Sequence, residues 1–407
     1  MEKMTKFAAI MMALTLFFSA VGCAKSPETA SSASEEAVST AETNEEVTEK
    51  GTETETGSPE ETDGAGDGTH LITDHAGNEV EVPNNAERIV ICDIYPLPSI
   101  ISVFFDSAEK IVGMAGPSMA AAKNSLLADL YPEILNAETG FIDGTDVNIE
   151  ELMKLEPDVV FYNAGNKALG EQIRNAGLAG VAISAGKWQY DCLATLDGWI
   201  EMLDQIFPNN GKADVVAAYG KKVYDDVQSR VAKLSPEERE QVFFLFQYTD
   251  TNMLTCGNPS FGKWWCDAIG ADCTVTEQTE QNSMPVGMEQ VYTWDPSVIF
   301  VTNFTTATVN DIYRNSIGTY DWSPVSAVRK NRVYKLPLGM YRSYTAGVDA
   351  PIALYWMAKA CYPDLFSDIN ITEETEQYYQ EVFGITLTAE QANAIFNPDA
   401  AAGVMKK

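Results

Sequence analysis

The pattern that most restricts this chain is a recurring pair: a short β-branched run followed by a segment that is apolar on one side. Residues 88–92 and 110–114 read as strands with no polar face, the kind that sits inside a parallel sheet. A helix over 98–105 follows the first of them. Residues 148–155 set Ile149, Leu152, Met153 and Leu155 along one stripe, Pro157 stops that helix, and residues 158–162 supply the next strand. A helix over 170–176 and a strand over 181–183 complete this series. The alternation then restarts, with strands over 241–248, 297–301 and 332–336 and helices over 261–269, 288–293 and 351–360. Units of this kind build parallel sheets covered by helices.

Between the two series lie amphipathic stretches over 191–207 and 211–234, the second without an interior proline. Its roughly 24 residues would reach about 36 Å as a helix, more than one βα unit needs. The expected fold is therefore α/β, two lobes with mainly parallel sheets joined by one long rigid helix, with a ligand cleft between the lobes. The expected boundaries are 69–208 for the first lobe, 209–235 for the bridging helix and 236–407 for the second lobe.

Charge narrows the function. Acidic residues outnumber basic ones 59 to 27, so a polyanion such as nucleic acid is repelled over most of the surface. His70 and His75 are the only histidines, which disfavours imidazole-built metal sites and histidine acid–base catalysis. At the N-terminus, Lys3 and Lys6 precede an uncharged apolar run over 7–18, too short for a settled membrane span and suited to a secretory signal over 1–22. Small residues directly before Cys23 resemble the lipobox of bacterial lipoproteins, in which that cysteine is lipidated and becomes the new N-terminus. From there to Gly68 the chain holds 13 acidic residues, two lysines and no aromatic residue, a composition that cannot offset its ordering entropy and reads as a disordered acidic tether, with Cys23 spanning 23–68 together with it.

Residues 72–83, then 88–90 and 111–113, resemble the opening of the substrate-binding proteins of bacterial iron-siderophore and vitamin B12 importers. Residues 148–162 are similar to that family's helix-then-strand element after a Pro-Asp pair, and 289–301 to its counterpart in the second lobe. Trp322, Val325, Ala327, Val328, Arg332, Val333, Tyr334, Leu336 and Pro337 match its C-terminal pattern. The resemblance covers most of 71–366. It implies two α/β lobes bridged by a helix, a ligand in the cleft, and delivery to an ABC permease whose own subunits hydrolyse ATP. It also implies that one exposed glutamate per lobe, Glu150 and Glu289, meets arginines of the permease.

Ligands of open α/β sheets collect beyond the carboxyl ends of the strands, and the loops expected there are aromatic. They contribute Tyr95, Trp188, Tyr190, Tyr248, Asn303 and the cluster Tyr341, Arg342 and Tyr344. Arg342 offers a fixed fork of donors to a carboxylate, catecholate or hydroxamate oxygen, and the tyrosines can stack on a metal chelate. Trp264 and Trp265 point about 100° apart on one helix, so one of them, Trp264, is the candidate for the cleft.

Cys92, Cys192, Cys256, Cys266, Cys273 and Cys361 form an even set that admits 15 full pairings. Their spacing is not that of a zinc site, and buried free thiols are expected. The chain has no nucleophile elbow, phosphate loop or zinc-protease motif. The expected function is capture of a ferric siderophore or similar iron chelate by a membrane-tethered, extracytoplasmic lipoprotein of an ABC importer. No enzyme activity, cofactor or protein-coordinated metal is expected. A cobalamin, haem or other metal-chelate receptor on the same scaffold is the alternative, ahead of a lipid-anchored enzyme and a surface protein with no small ligand.

Overall fold

The computed structural model describes residues 68–403 except 145, 209, 210 and 280. The expected signal, Cys23 and the tether up to residue 67 lie outside the described residues.

Two four-stranded sheets, every neighbour parallel, organise the chain. The first orders its strands Ile111–Met114, Ile89–Ile91, Val159–Asn163 and Gly180–Ile183; the second orders Asp272–Cys273, Gln241–Leu245, Val298–Val301 and Val333–Lys335. In chain order each is second, first, third, fourth, so the two halves repeat one topology. Alternation within the strands explains the packing. Ile91, Phe161, Phe244 and Phe300 face one continuous apolar core that draws in residues of both halves, whereas Val90, Val160, Phe243 and Ile299 face separate outer cores.

The repeat extends to local sequence. Helices Ile149–Met153 and Met288–Trp294 each lead into a left-handed residue, Glu156 at φ 47° and Asp295 at φ 38°, then a proline, then a fully buried run of strand. The turns are held by carboxylates: Asp158 Oδ2 accepts from the amides of Glu87 and Arg88 at 2.8 and 2.9 Å, and Asp295 Oδ1 accepts from the Ser326 amide at 2.7 Å.

Helices Cys192–Ile206 and Ala213–Val231 connect the halves and pack on each other and on Ala350–Cys361. Asp191 caps the first by accepting from Leu193 and Ala194 amides. The second holds 19 residues where about 24 were expected, so it spans about 28 Å. The strand expected over 241–248 also breaks. After Leu245 the chain leaves the parallel sheet, because the Phe246 amide turns to the Leu254 carbonyl and Gln247–Tyr248 pairs antiparallel with Met253–Cys256. No described helix is long and apolar enough to cross a membrane.

Candidate functional site

In each sheet the first and third strands are neighbours whose connections leave toward opposite sides, and the loops at their carboxyl ends frame a crevice. Both crevices are tied by side chains rooted in those loops. In the first half, Asp93 accepts from the Asn163 amide at 2.6 Å and from Asn166 Nδ2 at 3.0 Å. In the second, the hydroxyls of Thr302 and Thr305 donate to the carbonyls of Phe246 and Tyr248 at 2.6 and 2.8 Å.

Arg342 joins the two. It is 1% exposed, its guanidinium lies 5.0 Å from the centre of the Phe304 ring, and Nη1 donates to Tyr341 Oη at 2.8 Å. Nε and Nη2 both donate to the Ala402 carbonyl, at 3.2 and 2.8 Å. Among the described residues no carboxylate lies within ion-pair distance of it. Tyr95, from the first half, is close enough to interact electrostatically: burial raises the Tyr95 phenol, Asp93 adds to this and Arg342 opposes it. Burial likewise raises the Tyr341 phenol against the pull of Arg342, with Tyr95 adding to the rise.

The loop carrying Arg342 is tied to both halves. Leu126 donates its amide to the Gly339 carbonyl at 3.0 Å, reaching across from the first half. Asn303 Nδ2 donates to the carbonyls of Leu336 and Pro337 at 2.8 and 2.9 Å. Asp349 Oδ2 accepts from the Met340 amide at 2.7 Å, and its other oxygen takes the Tyr379 hydroxyl. A Cβ at position 339 would overlap the Asp349 carboxylate, so glycine there lets the acid approach. Burial pushes the Asp349 carboxyl up to about 6, with the Tyr379 and Met340 hydrogen bonds pulling the other way.

A second group of expected residues surrounds an open cavity of about 830 Å³ formed by residues 186–194 on one side and 258–267 with Gln278 on the other. Trp188, Tyr190 and Trp264 line it, with Lys187 and Lys263 at its margins. Tyr190 meets Phe261 edge-on at 5.3 Å, and Trp188 stands edge-on to His75 at 5.1 Å. His75 Nδ1 accepts from the Ser184 amide at 3.2 Å, and burial, then Lys187, lower its pKa to about 4. Trp265, adjacent to Trp264, is buried and donates to the Tyr344 carbonyl at 2.9 Å, as their angular separation requires.

Nine residues were expected at the ligand. Tyr95, Tyr341 and Arg342 lie within electrostatic reach of one another, and Trp188, Tyr190 and Trp264 stand around the cavity. The other three are engaged in packing. Tyr248 accepts from Trp322 Nε1 at 3.0 Å and donates to the Ile317 carbonyl at 3.1 Å. Asn303 holds the Arg342 loop, and Tyr344 Oη accepts from the Gly262 amide at 3.2 Å inside a cluster with Phe244, Phe246 and Phe304. Asp93, Thr302, Thr305 and Asp349, which shape the site, were not singled out from sequence. For Asp93, Thr302 and Thr305 the signal was their place directly after or near strand ends; for Asp349 it was its place just before a helix. Ala402 gave no signal at all.

Glu150 and Glu289 are exposed on equivalent helices, and among the described residues neither is in an ion pair, whereas the adjacent Glu151 pairs with Lys154 at 2.6 Å. All six described cysteines are buried and unbridged, Cys256 and Cys273 having their sulfurs 3.6 Å apart.

Comparison with known proteins agrees with this architecture. The model of the periplasmic binding protein family matches residues 111–338, more than half of the chain. The molybdate-binding protein MolA of Haemophilus influenzae is 26% identical over 346 residues, 79% of this chain and 93% of that protein. The uncharacterized ABC transporter substrate-binding lipoprotein YvrC of Bacillus subtilis is 22% identical over 304 residues, 73% of this chain and 87% of that protein. The crystal structure of a periplasmic solute binding protein from Veillonella parvula superposes with a TM-score of 0.71 at 27% identity, covering 81% of this chain and 97% of its own. The chain belongs to the periplasmic binding protein family and is a substrate-binding protein of an ABC transporter.

Proposed function

We propose that this protein captures an anionic metal species, a ferric siderophore or a similar iron chelate, between its two halves and hands it to an ABC permease, carrying out no chemistry itself. The observation that carries this reading is Arg342: a permanently charged fork, buried against Phe304 and Tyr341 and within electrostatic reach of Tyr95 of the first half, with no described carboxylate to neutralise it. Burying such a charge without a counter-charge is costly, and an arriving anion removes that cost. Tyr95 and Tyr341 supply aromatic faces and hydroxyls beside it. Trp188, Tyr190 and Trp264 form an aromatic wall broad enough for the organic part of a chelate.

A second reading, a compact oxyanion, is favoured by the molybdate-binding relative and by the close wrapping of the guanidinium. Titration of tryptophan emission with a ferric tris-catecholate, molybdate, haem and cobalamin separates the two. Saturable quenching by the ferric complex supports the chelate reading, response to molybdate alone moves the assignment to oxyanions, and response only to neutral cobalamin removes Arg342 as the anchor.

Two exposed carboxylates at separate points, Glu150 and Glu289, would orient the protein on the permease more than tighten it. Lipidation at Cys23 would hold it at the outer face of the bacterial membrane. Incorporation of labelled palmitate that is lost in Cys23→Ala tests the anchor.

A further inference from the structure

The segment that occupies Arg342 is unusual in what it lacks. Ala400–Gly403 forms a short 3-10 turn of three alanines and a glycine. It offers no polar side chain, yet its Ala402 carbonyl takes two of the guanidinium's donor groups. The turn lies against both halves. Ala401 borders a recess of about 550 Å³ with Met119, Lys123 and Thr139 of the first half. A Cβ at Gly403 would overlap the Thr305 carbonyl and come within 2.6 Å of the Thr306 amide nitrogen of the second. Its own hydrogen bonds are local: the Ala401 amide donates to Asp399 Oδ1 at 2.8 Å and the Ala402 amide to the Asp399 carbonyl at 3.1 Å.

A carbonyl brings only a partial charge to a full cation, whereas an anion brings a whole opposite charge and can meet two parallel donors of the guanidinium fork. An anion therefore competes well for this seat. Two further polar atoms beside the Arg342 loop, Asn303 Oδ1 and Ser343 Oγ, are buried without partners among the described residues; both residues donate to the Pro337 carbonyl, Asn303 through Nδ2 at 2.9 Å and Ser343 through its amide at 3.4 Å. Of the two, the Ser343 hydroxyl can donate to an anion, whereas Asn303 Oδ1 only accepts.

We propose that residues 399–403 are a displaceable strap, with the Ala402 carbonyl acting as a built-in stand-in for the anion, and that ligand enters by exchanging with it on Arg342. This rests on the reading of Arg342 as the anion anchor. The strap lowers apparent affinity by the fraction of molecules in which it is seated, so unseating it tightens binding.

The experiment compares the full chain with a chain ending at Asn397 and with full-length Gly403→Val, whose side chain cannot fit against the Thr305 backbone. Dissociation constants are measured for molybdate and a ferric tris-catecholate, and modification of Arg342 by phenylglyoxal is followed by mass spectrometry without ligand. The expected result is binding at least tenfold tighter in both variants and Arg342 modified in the variants but protected in the full chain. Where the full chain binds a probe, equal or weaker binding of it by both variants overturns the strap, as does unchanged modification of Arg342. Failure of all three proteins to bind either probe, with Arg342 newly modified in both variants, supports the strap as the cover of Arg342 and counts against the anion reading alone.

Discussion

The indole of Trp188 lies directly on Gly198, one turn and more into the helix Cys192–Ile206, so closely that a Cβ at position 198 would overlap the ring and sit 2.9 Å from Cε2. Alanine recovers about 1 kcal/mol of helix propensity, and the ring is only half-buried, so the fold tolerates the change while the indole must swing away. Gly198→Ala is expected to red-shift tryptophan emission with little loss of melting temperature and to weaken ligand quenching. An unaltered emission spectrum would show that Trp188 does not rest there.

Asp349 couples the Arg342 loop to pH. Its folded pKa of about 6 stands above its ordinary 3.8, so the folded state holds the proton more firmly than the unfolded chain. Its contribution is fully present below about pH 3.8 and is lost as pH rises through about 6. At about 1.4 kcal/mol per unit the swing is roughly 2–3 kcal/mol. In urea titrations at pH 7 and 5, Asp349→Asn is expected to abolish that gain on acidification; an identical pH response in the variant contradicts it.

His75 acts in the same interval with the opposite sign. Burial lowers its pKa from 6.5 to about 4, so the unfolded chain takes up the proton first. Stability from the neutral ring is complete above about pH 6.5 and falls away as pH drops toward 4. His75→Gln keeps an acceptor for the Ser184 amide and is expected to lose less stability than the parent between pH 7 and 5. Comparing these two slopes by chemical denaturation decides it.

Thiol chemistry should be silent in the native state. All six described cysteines are buried, and burial raises the thiols of Cys92, Cys192 and Cys361, which withholds the reactive thiolate; hydrogen bonds with the Cys256 and Cys266 thiols instead lower the Cys273 thiol, which only its burial shields from reagent. A disulfide-exchange reagent is expected to titrate none of these six until denaturant is added. Rapid reaction of the folded protein would mean that this core opens readily.

Much of the fold was legible because it rests on patterns carried by consecutive residues. The buried runs at Val159–Asn163 and Val298–Val301, each behind a proline, announce parallel strands, and their shared upstream helices foreshadow the repeated topology. Position after a strand singled out Tyr95, Tyr341 and Arg342, which the fold sets within electrostatic reach of one another. The same rule drew in Tyr248 and Asn303, whose polar atoms serve neighbouring loops, a use that depends on partners such as Trp322 and Pro337 far along the chain. The seat of Arg342 was illegible for a related reason. Ala402 lies 60 residues away and acts through its backbone, which no side-chain pattern reveals.

The most direct test is calorimetric titration of the parent, Arg342→Ala and Arg342→Lys with a ferric tris-catecholate and with molybdate. If Arg342 anchors an anion between the halves, the parent binds one of them at a single site, alanine costs at least tenfold, about 1.4 kcal/mol, and lysine restores only part because it lacks the planar fork. Equal affinity in all three proteins, with melting temperatures preserved, would contradict the account.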